Sequence, residues 1–545
     1  MSNLLKEPSP NRGSLVSHNL RAAKKGLRDI LLGTSVATAL DDDELDTLDQ
    51  DASEVISSIR SMRNKRAPIN RLPRDVLALI PDFLDDEESD RTAITLTHVC
   101  RAWREIFVSL ASLWTDFYCT DTEKTCVYLE RSKSAPISVR LERKKGLLPN
   151  DPFLDIAPHV FSRLSYLHVT TSPDYLEDIT KHLVHPAPLL RSLFIDGHAS
   201  ISLEIISELT SALFDGDLSS VRELHLRSVR TQLPWRNMKN LTSFGLTSVE
   251  QPTLSLGQFL DFFESAPSLS EVRLTSAAPT FGTQDGRLVS LPHLKTLEIY
   301  GPQPPWLLLN HLVIPVGAGA IIHSYSTVPQ IDKLLPSSLS NFRNLSNFTK
   351  VCLDFTDFPP SMQFAGPNGL GRFVLDPGPG PTHLVTRHLA RFDTSNTQCL
   401  EIRGAGLVAN ELYQAIRSMA NLRTLIISLY PGPPVFLPGL GFALFSDGVV
   451  ACPKLEEFVY CVPAFDIGEI VTFAAGRASR GVPFKSVEVI VFGEPVPTEA
   501  IAELQKELQK HVSRVEITAE DEDEYFDEDE DEDENEDEDS DEDDW

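Results

Sequence analysis

One motif in the sequence has residue types and spacing that could bind a dinucleotide. A predicted strand starting at Cys399 runs into "GAGLVA" at residues 404–409 and then into a helix-like stretch. Glycines at these positions let the backbone approach a pyrophosphate at a helix N-terminus. Such a site also needs an acidic residue at the end of the next strand to hold the ribose hydroxyls. That strand ends instead in Tyr430 and Pro431, so we favour a tight turn that glycine permits.

No other motif predicts catalysis or metal binding. The sequence contains no GxSxG, GxxxxGK[ST] or HExxH pattern. His182 and His185 lie three residues apart, and we interpret them as a surface pair. The seven cysteines are scattered without a CxxC pair, which is typical of reduced thiols in a cytoplasmic or nuclear protein. We therefore expect a protein that is not an enzyme, with no catalytic residue, cofactor or metal ligand.

The charge of the chain is concentrated at one end. Residues 520–545 contain 21 acidic residues and no lysine or arginine. The remaining 58 acidic and 49 basic residues give residues 1–519 a net charge of only −9, against −30 for the whole chain. Without a large basic patch, direct DNA or RNA binding is not expected. No apolar run approaches the roughly 18 residues that span a bilayer, so we expect no membrane insertion.

A six-residue phrase with apolar residues at its first, fourth and sixth positions recurs along the chain, most often at intervals of 20 to 33 residues. Alternation of the fourth and sixth residues predicts a strand whose apolar side faces a core, and the first residue fills the same core. The phrases are LSYLHV at 164, LRSLFI at 190, VRELHL at 221, LTSFGL at 241, LSEVRL at 269, LKTLEI at 294, FTKVCL at 348, LRTLII at 422, LEEFVY at 455, FKSVEV at 484 and VSRVEI at 512.

Helix-like stretches lie between the phrases. Examples are "SLEIISELTSALF", "SLGQFLDFFESA" and "ELYQAIRSMA". One strand and one helix every 20 to 30 residues is the leucine-rich-repeat plan, in which stacked units build a continuous core. The predicted fold class is therefore α/β, with an irregular leucine-rich-repeat-like solenoid of parallel strands and helices over residues 119–519. A conventional α/β domain is the alternative.

Between residues 300 and 420 the six-residue phrase recurs less regularly, so the repeat register is not assigned there. "GAIIHSY" and "TQCLEI" are predicted strands in this region, and "DPGPGP" at 376–381 predicts a loop.

Polar residues at the outward strand positions are the candidates for binding a protein substrate, because the apolar residues on either side of them face the core. The substrate-binding candidates are Tyr166, His168, His225, Arg227, Arg273, Glu298 and Tyr300.

The first 66 residues lack the phrase. Residues 1–15 are polar and are predicted to be disordered, and residues 16–66 are predicted to be helical. Within this region apolar residues recur at three- and four-residue steps, at Leu45, Leu48, Ala52, Val55, Ile56 and Ile59. Such a stripe predicts either a helix docked on the following module or a short self-associating coil.

The stretch "INRLPRDVLALIPDFL" at 69–84 and the stretch "LTHVCRAWREIF" at 96–107 predict two short apolar helices. Two helices of this size bury too little surface to fold alone, so we expect them to pack on a partner protein. Pro81 cannot continue a helix, because it lacks a backbone N–H, so the first helix is predicted to end at Ile80. As an alternative, this segment could pack against the first repeat as an N-terminal cap.

These two stretches, "LPRDVLALIPDFL" followed by "LTHVCRAWREIFVSLASLWTDF", resemble the F-box over residues 67–118. The sequence that continues from it, "SLWTDF...YLERSKSAPISVRL", is similar to the segment that follows the F-box in F-box proteins of basidiomycete fungi. The resemblance implies that the F-box binds a Skp-type adaptor, which links it to a cullin scaffold of a ubiquitin ligase, while the C-terminal repeats select substrates. It implies these adaptor-binding residues: Leu72, Pro73, Val76, Ile80, Leu84, Val99, Cys100 and Trp103.

Two other functions remain open from the sequence. One is a leucine-rich-repeat scaffold without a ligase role, and the other is a nucleotide-binding enzyme that uses the GAGLVA turn. The acidic segment 520–545 repels itself and is predicted to be disordered. It is either a solvated terminus or a polyanion that binds a basic partner, with Tyr525, Phe526 and Trp545 as apolar anchors.

Overall fold

The computed structural model of the chain forms two compact units, Met1–Trp114 and Thr115–Trp545. The predicted disordered segments 1–15 and 520–545 lie outside the described residues, except for Glu520, which ends a strand. Apart from a few positions between 21 and 28, the described residues are 41–84, 89–143, 160–197, 208–209, 213–231, 238–247, 254–279, 282, 286–302, 305–325, 334–346, 348–356, 360–367, 371–377, 389–404, 416–428, 450–462, 467–492 and 497–520.

The first unit is helical. Its described α-helices are α1 (Asp42–Arg66), α2 (Arg74–Leu77), α3 (Ser89–His98) and α4 (Arg101–Ser109), and its 3-10 turns are Pro68–Arg71, Ile80–Phe83 and Ala111–Trp114. Prolines set the boundaries of the short elements. Pro73 caps α2 in an extended conformation, and Pro81 lies at the start of a 3-10 turn. The helix predicted to reach Ile80 therefore ends as an α-helix at Leu77.

A small core lies inside this unit. Its buried members are Leu77, Leu96, Trp103, Ile106 and Phe107, and Ala78, Ile80, Cys100, Leu110 and Leu113 pack against them partly buried. The rings of Trp103 and Phe107 meet edge to face at 5.4 Å. The two stretches thus pack on each other in a small core, and Leu110 and Leu113, which follow the second stretch, pack against it.

The described residues of the second unit form one 17-stranded sheet. Two two-stranded pairs, β5 (Glu208–Leu209) with β7 (Arg230–Thr231) and β10 (Val289–Ser290) with β12 (Leu312–Val313), lie outside it. The described strands are β1 (Asp116–Tyr118), β2 (Ile137–Arg143), β3 (Leu164–Thr171), β4 (Ser192–Gly197), β5 (Glu208–Leu209), β6 (Glu223–Arg227), β7 (Arg230–Thr231), β8 (Ser243–Thr247), β9 (Glu271–Thr275), β10 (Val289–Ser290), β11 (Thr296–Gly301), β12 (Leu312–Val313), β13 (Gly319–Ser324), β14 (Lys350–Asp354), β15 (Ser361–Ala365), β16 (Phe373–Asp376), β17 (Cys399–Arg403), β18 (Thr424–Ser428), β19 (Glu457–Val462), β20 (Ser486–Phe492) and β21 (Arg514–Glu520).

The strands of the large sheet pair almost entirely in chain order and in parallel. From β1 to β13 each strand pairs with the next strand of the sheet in parallel, and β17 to β21 do the same. The described sheet is therefore mostly parallel, as the predicted repeat of one strand and one helix implies.

Residues 350–376 depart from this order. β16 pairs in parallel with β13, β15 runs antiparallel between β16 and β14, and β14 pairs in parallel with β17. The spatial order is therefore β13-β16-β15-β14-β17. The predicted strands "GAIIHSY" and "TQCLEI" are confirmed as β13 and β17, whereas the antiparallel strand between their neighbours was not predicted.

All eleven phrases lie on strands, and each strand begins at or within two residues of the start of its phrase. In the first ten phrases the first, fourth and sixth residues are buried, as in Leu164, Leu167 and Val169. In the last phrase Val512 is buried, but Val515 and Ile517 on the final strand are partly exposed. The alternation thus predicts the core-facing side of the sheet correctly.

Six α-helices lie among the described residues of the second unit. The described ones are α5 (Thr122–Arg131), α6 (Pro173–Thr180), α7 (Leu256–Ser265), α8 (Trp306–Leu309), α9 (Ile467–Ala478) and α10 (Thr498–Leu508). The predicted helix in "SLGQFLDFFESA" is confirmed as α7, which begins at a capping box between Ser255 and Gln258. In "SLEIISELTSALF" the described residues contain β5 and a 3-10 turn instead, and "ELYQAIRSMA" lies partly outside the described residues.

Three features bear on the kind of chemistry that the described residues can support. No helix in the described part of the chain is long and apolar enough to cross a bilayer. Within the same ranges, no group of three or more His, Cys, Asp or Glu side chains is arranged to hold a metal ion. All seven cysteines are free thiols.

Candidate functional site

The segment between residues 69 and 84 exposes apolar side chains at three- and four-residue steps. Ile69, Leu72, Val76 and Leu79 are each between 41% and 52% exposed, and Phe83 is 85% exposed. Exposed leucines occur singly on most proteins, but several large apolar side chains on one short segment mark an interaction site. This segment therefore presents apolar surface that the described residues of the unit do not cover.

The other side of the same segment packs into the unit. Leu77 belongs to the core and Ile80 packs against it. Asn70 accepts a hydrogen bond at Oδ1 from Trp103 Nε1 at 2.6 Å, and its Nδ2 donates to the carbonyl of Asn64 at 2.7 Å. These contacts fix which side of the segment faces the core, so the exposed side chains are held outward by the fold.

Three further apolar side chains extend the exposed set. Leu84 follows the 3-10 turn, Ile94 lies on α3, and Val99 follows its end; each is 41% to 50% exposed. We call the exposed set the apolar surface of the module, and it consists of Ile69, Leu72, Val76, Leu79, Phe83, Leu84, Ile94 and Val99.

The structure divides the predicted adaptor-binding residues into two groups. Leu72, Pro73, Val76, Leu84 and Val99 are exposed. Ile80, Cys100 and Trp103 pack in or against the core instead.

Trp103 has a clear physical reason for lying inside. It shares the inner side of α4 with Ile106 and Phe107, three and four residues later, and these three side chains form one apolar stripe. Only 6% of Trp103 is exposed, and its N–H is satisfied by Asn70. The prediction that Trp103 faces a partner is therefore corrected: the ring stabilises the module.

Sequence reasoning missed four members of the apolar surface, including the two most exposed, Phe83 and Leu79. Ile69, Leu79, Phe83 and Ile94 were not among the predicted residues. The signal was available for three of them, because Ile69, Leu79 and Phe83 continue the three- and four-residue spacing of Leu72 and Val76.

Helix α1 meets the rest of the module through polar groups. Arg101 Nη2 donates to Ser57 Oγ at 3.2 Å. A cleft of about 860 Å³ lies between α1 and the start of α4, and its charged lining is mainly basic, from Arg60, Lys65, Arg101 and Arg104. The contacts that place α1 beside the module therefore use its polar side.

In the second unit, the open face of the sheet brings several predicted substrate-binding residues together. Tyr166 and His168 on β3 lie 5.4 and 5.8 Å, between ring centroids, from Phe194 on β4. His225 on β6 stacks on the other side of Phe194, with centroids 4.6 Å apart and planes 1° from parallel. Phe194 was missed, although it occupies the fifth, outward position of its phrase. This set is called the aromatic row.

Burial changes the acid–base behaviour of this row. Desolvation lowers the pKa of His168 and of His225, because a half-buried imidazole is less well solvated when charged. Desolvation likewise raises the pKa of Tyr166. At neutral pH the row therefore presents uncharged rings that can stack or accept and donate hydrogen bonds.

Of the remaining predicted substrate-binding residues, Arg227, Arg273 and Glu298 form ion pairs, and Tyr300 lies near another ring. Arg227 lies 3.6 Å from Asp196, and Arg273 donates to Glu298 at 2.6 Å. Tyr300 lies 5.7 Å, between ring centroids, from His323. A hollow of about 440 Å³ is lined by His225, Arg273 and Glu298 among others.

A glycine lies between two of the residues that line the hollow. Gly245 lies in register between His225 and Arg273. A Cβ atom at this position would collide with Nδ1 of His225, so only glycine leaves room for the stacked ring.

The glycine that begins GAGLVA has a structural reason of its own. Gly404 has a φ of +82°, and a Cβ atom there would lie 2.6 Å from the carbonyl carbon of Phe355. Its N–H donates to the carbonyl of Ser428 at 2.7 Å. The observed turn thus needs glycine to bring neighbouring strand ends together; residues 405–409 lie outside the described residues.

Comparison with known proteins bears on the first unit. Residues 69–120 match the model of the F-box-like family. This range contains the whole apolar surface and begins at its first member, Ile69. F-box domains typically bind Skp-type adaptors. A search among curated proteins found no match to the chain.

Proposed function

We propose that this chain, whose residues 69–120 form an F-box-like domain, is the substrate-recognition subunit of a Skp-cullin-F-box type ubiquitin ligase. The observation that carries the proposal is the apolar surface, which the fold holds outward on the matched residues. In this role the F-box-like domain binds a Skp-type adaptor, which connects the chain to a cullin scaffold. In this proposal the chain acts in the cytoplasm or the nucleus. It binds a protein substrate and catalyses no reaction itself.

The apolar surface is large enough for a useful affinity. Full burial of a leucine, valine or phenylalanine side chain is worth about 1.5 to 3 kcal/mol, so four or five of them give roughly 10 kcal/mol before costs. Association entropy and side-chain ordering subtract several kcal/mol from this. The remaining roughly 5 to 7 kcal/mol corresponds to dissociation constants of about ten to a few hundred micromolar.

Two substitutions on the surface test adaptor binding directly. The double variant Val76→Asp, Phe83→Asp places two carboxylates in the surface that is proposed to make apolar contact with the adaptor. Both positions lie outside the core. We expect adaptor affinity to fall at least 100-fold, measured by co-purification with a Skp-type adaptor and by isothermal titration calorimetry.

The matched control changes two exposed apolar side chains of the second unit. Leu288 and Val316 are each about half exposed, so Leu288→Asp, Val316→Asp makes the same change in charge at exposed apolar positions elsewhere. The control should bind the adaptor like the native chain. Equal recovery of adaptor by the native chain and the Val76, Phe83 variant would exclude the proposal.

Substrate recognition is assigned to the open face of the sheet. The aromatic row and the hollow beside Gly245 support this assignment, because half-buried rings next to ion pairs provide apolar and polar contacts on one surface. Leucine-rich-repeat-like stacking of the parallel strands is part of the proposal. The acidic segment 520–545 is proposed to bind a basic partner.

The scaffold and enzyme alternatives differ in their predictions. A repeat scaffold without a ligase role would not bind the adaptor at all. An enzyme using the GAGLVA turn would show saturable binding of a nicotinamide or flavin nucleotide. The packing of Gly404 against the backbone of Phe355 gives the first glycine a structural role without a nucleotide.

A further inference from the structure

Helix α1 exposes an apolar stripe on the side away from its polar contacts with the module. Leu45, Val55 and Met62 are 41%, 57% and 53% exposed. Leu45, Ala52 and Ile59 are spaced by seven residues, and Val55 and Met62 are also seven apart, three residues behind them. This three–four alternation is the a and d spacing of a two-stranded coiled coil.

The contacts of α1 inside the module leave this stripe free. Ser57, which accepts a hydrogen bond from Arg101, lies at the outer f position of the same heptad numbering. Asn64, whose carbonyl accepts from Asn70, lies seven residues later at the next f position. The Ser57 contact thus lies on the side opposite the stripe, in which Leu45, Val55 and Met62 are exposed and Ala52 and Ile59 are partly exposed.

The charges of α1 are divided along its length. Residues 42–54 contain seven acidic residues and no basic one, and residues 55–66 contain four basic residues and no acidic one. The helix dipole favours such charges only in the first and last turns. Asp49, Asp51 and Glu54 lie further inside, so the dipole does not account for them.

Charge complementarity selects the occupant and its direction. We propose that α1 pairs with α1 of a second copy of this chain in an antiparallel coiled coil. A parallel pair would align acidic half with acidic half and basic half with basic half. An antiparallel pair brings each acidic half against the basic half of the other copy, and this proposal goes beyond the proposed ligase function.

The heptad positions fix a register for the antiparallel pair. In an antiparallel pair, the a positions of one helix face the d positions of the other. Leu45 then lies opposite Met62 of the second copy, and Ala52 lies opposite Val55 of the second copy. In this register Asp42 lies beside Arg63 of the second copy. The seam is short, about 37 Å for 25 residues, so we expect association in the micromolar range.

The oligomeric state of the full chain is the first test. At 100 µM protein and 150 mM salt, light scattering after size exclusion should give twice the mass of one chain. Val55→Glu, which buries two carboxylates at the centre of the seam, should return it to a monomer at that concentration. A native chain that stays monomeric, or a Val55→Glu variant that stays dimeric, overturns the proposal.

A matched control separates the seam from the helix as a whole. Gln50 is exposed and lies at an f position, on the same side as Ser57 and Asn64. Gln50→Glu adds the same charge away from the seam and should leave the dimer intact; a monomeric control contradicts the register. Both variants should retain adaptor binding, so loss of dimerisation and failure of the ligase proposal are distinguishable.

Cysteine cross-linking tests the direction. Leu45→Cys and Met62→Cys variants, mixed and oxidised, should give a disulfide between positions 45 and 62, identified by peptide mapping. Each variant alone should give no disulfide between two copies of its own new position. Homotypic disulfides in the single variants would show a parallel pair and overturn the antiparallel assignment.

Discussion

Trp103 links two elements of the helical module through one side chain. Its ring packs on Phe107 within α4, and its N–H reaches Asn70 in the 3-10 turn that precedes α2. The apolar side chain of Trp103 suggested from the sequence that this residue contacts a partner, but in the structure it packs in the core of the module. Composition alone does not separate the two roles, because Leu72 and Leu77 carry identical side chains and only the tertiary contacts place one outside and one inside.

Replacing Trp103 should destabilise the module without touching the apolar surface. Trp103→Ala removes a buried ring and should cost about 3 to 5 kcal/mol. Trp103→Phe keeps most of the packing but loses the hydrogen bond to Asn70, at about 1 to 2 kcal/mol. Amide hydrogen exchange of α3 and α4 in the full chain measures both. Leu72→Ala, at an exposed position, should leave the exchange rates nearly unchanged; protection in Trp103→Ala equal to the native chain would contradict the assignment.

Elements of the sheet follow the sequence closely where the pattern repeats. The first, fourth and sixth residues of each phrase fix both a strand and its buried side, because a period of two leaves no other face for them. The pattern does not fix direction, since alternation reads the same in a parallel and an antiparallel strand. The antiparallel direction of β15 could therefore not be predicted from the alternation. The position of Phe194 beside His225 could not be predicted either, because it depends on the register between strands.

Gly404 shows how one turn supports two neighbouring strands. Substitution with alanine forces a Cβ atom against the backbone of Phe355 and keeps a positive φ that alanine adopts with strain. We expect Gly404→Ala to lower the free energy of unfolding by about 1 to 3 kcal/mol, measured by urea denaturation.

Gly481 provides the control for this substitution. It also has a positive φ, of +78°, but no atom lies within 4 Å of the Cβ position. Gly481→Ala should therefore cost only the conformational part, about 1 kcal/mol. Equal losses for the two variants would show that the contact with Phe355 contributes nothing.

The whole chain combines a mildly acidic body with a strongly acidic end. Removing residues 521–545 takes away 20 of the 79 acidic residues. If the segment recruits basic partners, its deletion should weaken binding to a polylysine probe at least tenfold at 100 mM salt, measured by fluorescence anisotropy. The difference should shrink as salt screens the charges. Adaptor binding should not change, and unchanged polylysine binding would remove the proposed role of the segment.

Between β13 and β17 the strands lie in the reverse of their chain order, and this limits which segments of the chain can be deleted. Elsewhere in the sheet, excising one parallel strand with its connection leaves two parallel neighbours that can pair again. Excising β15 alone, or β14 alone, would bring strands together in an order that the remaining connections do not match. Residues 350–376 are therefore indivisible: deletion variants of this protein should tolerate their removal only as a complete triplet of strands, which restores a parallel pair between β13 and β17.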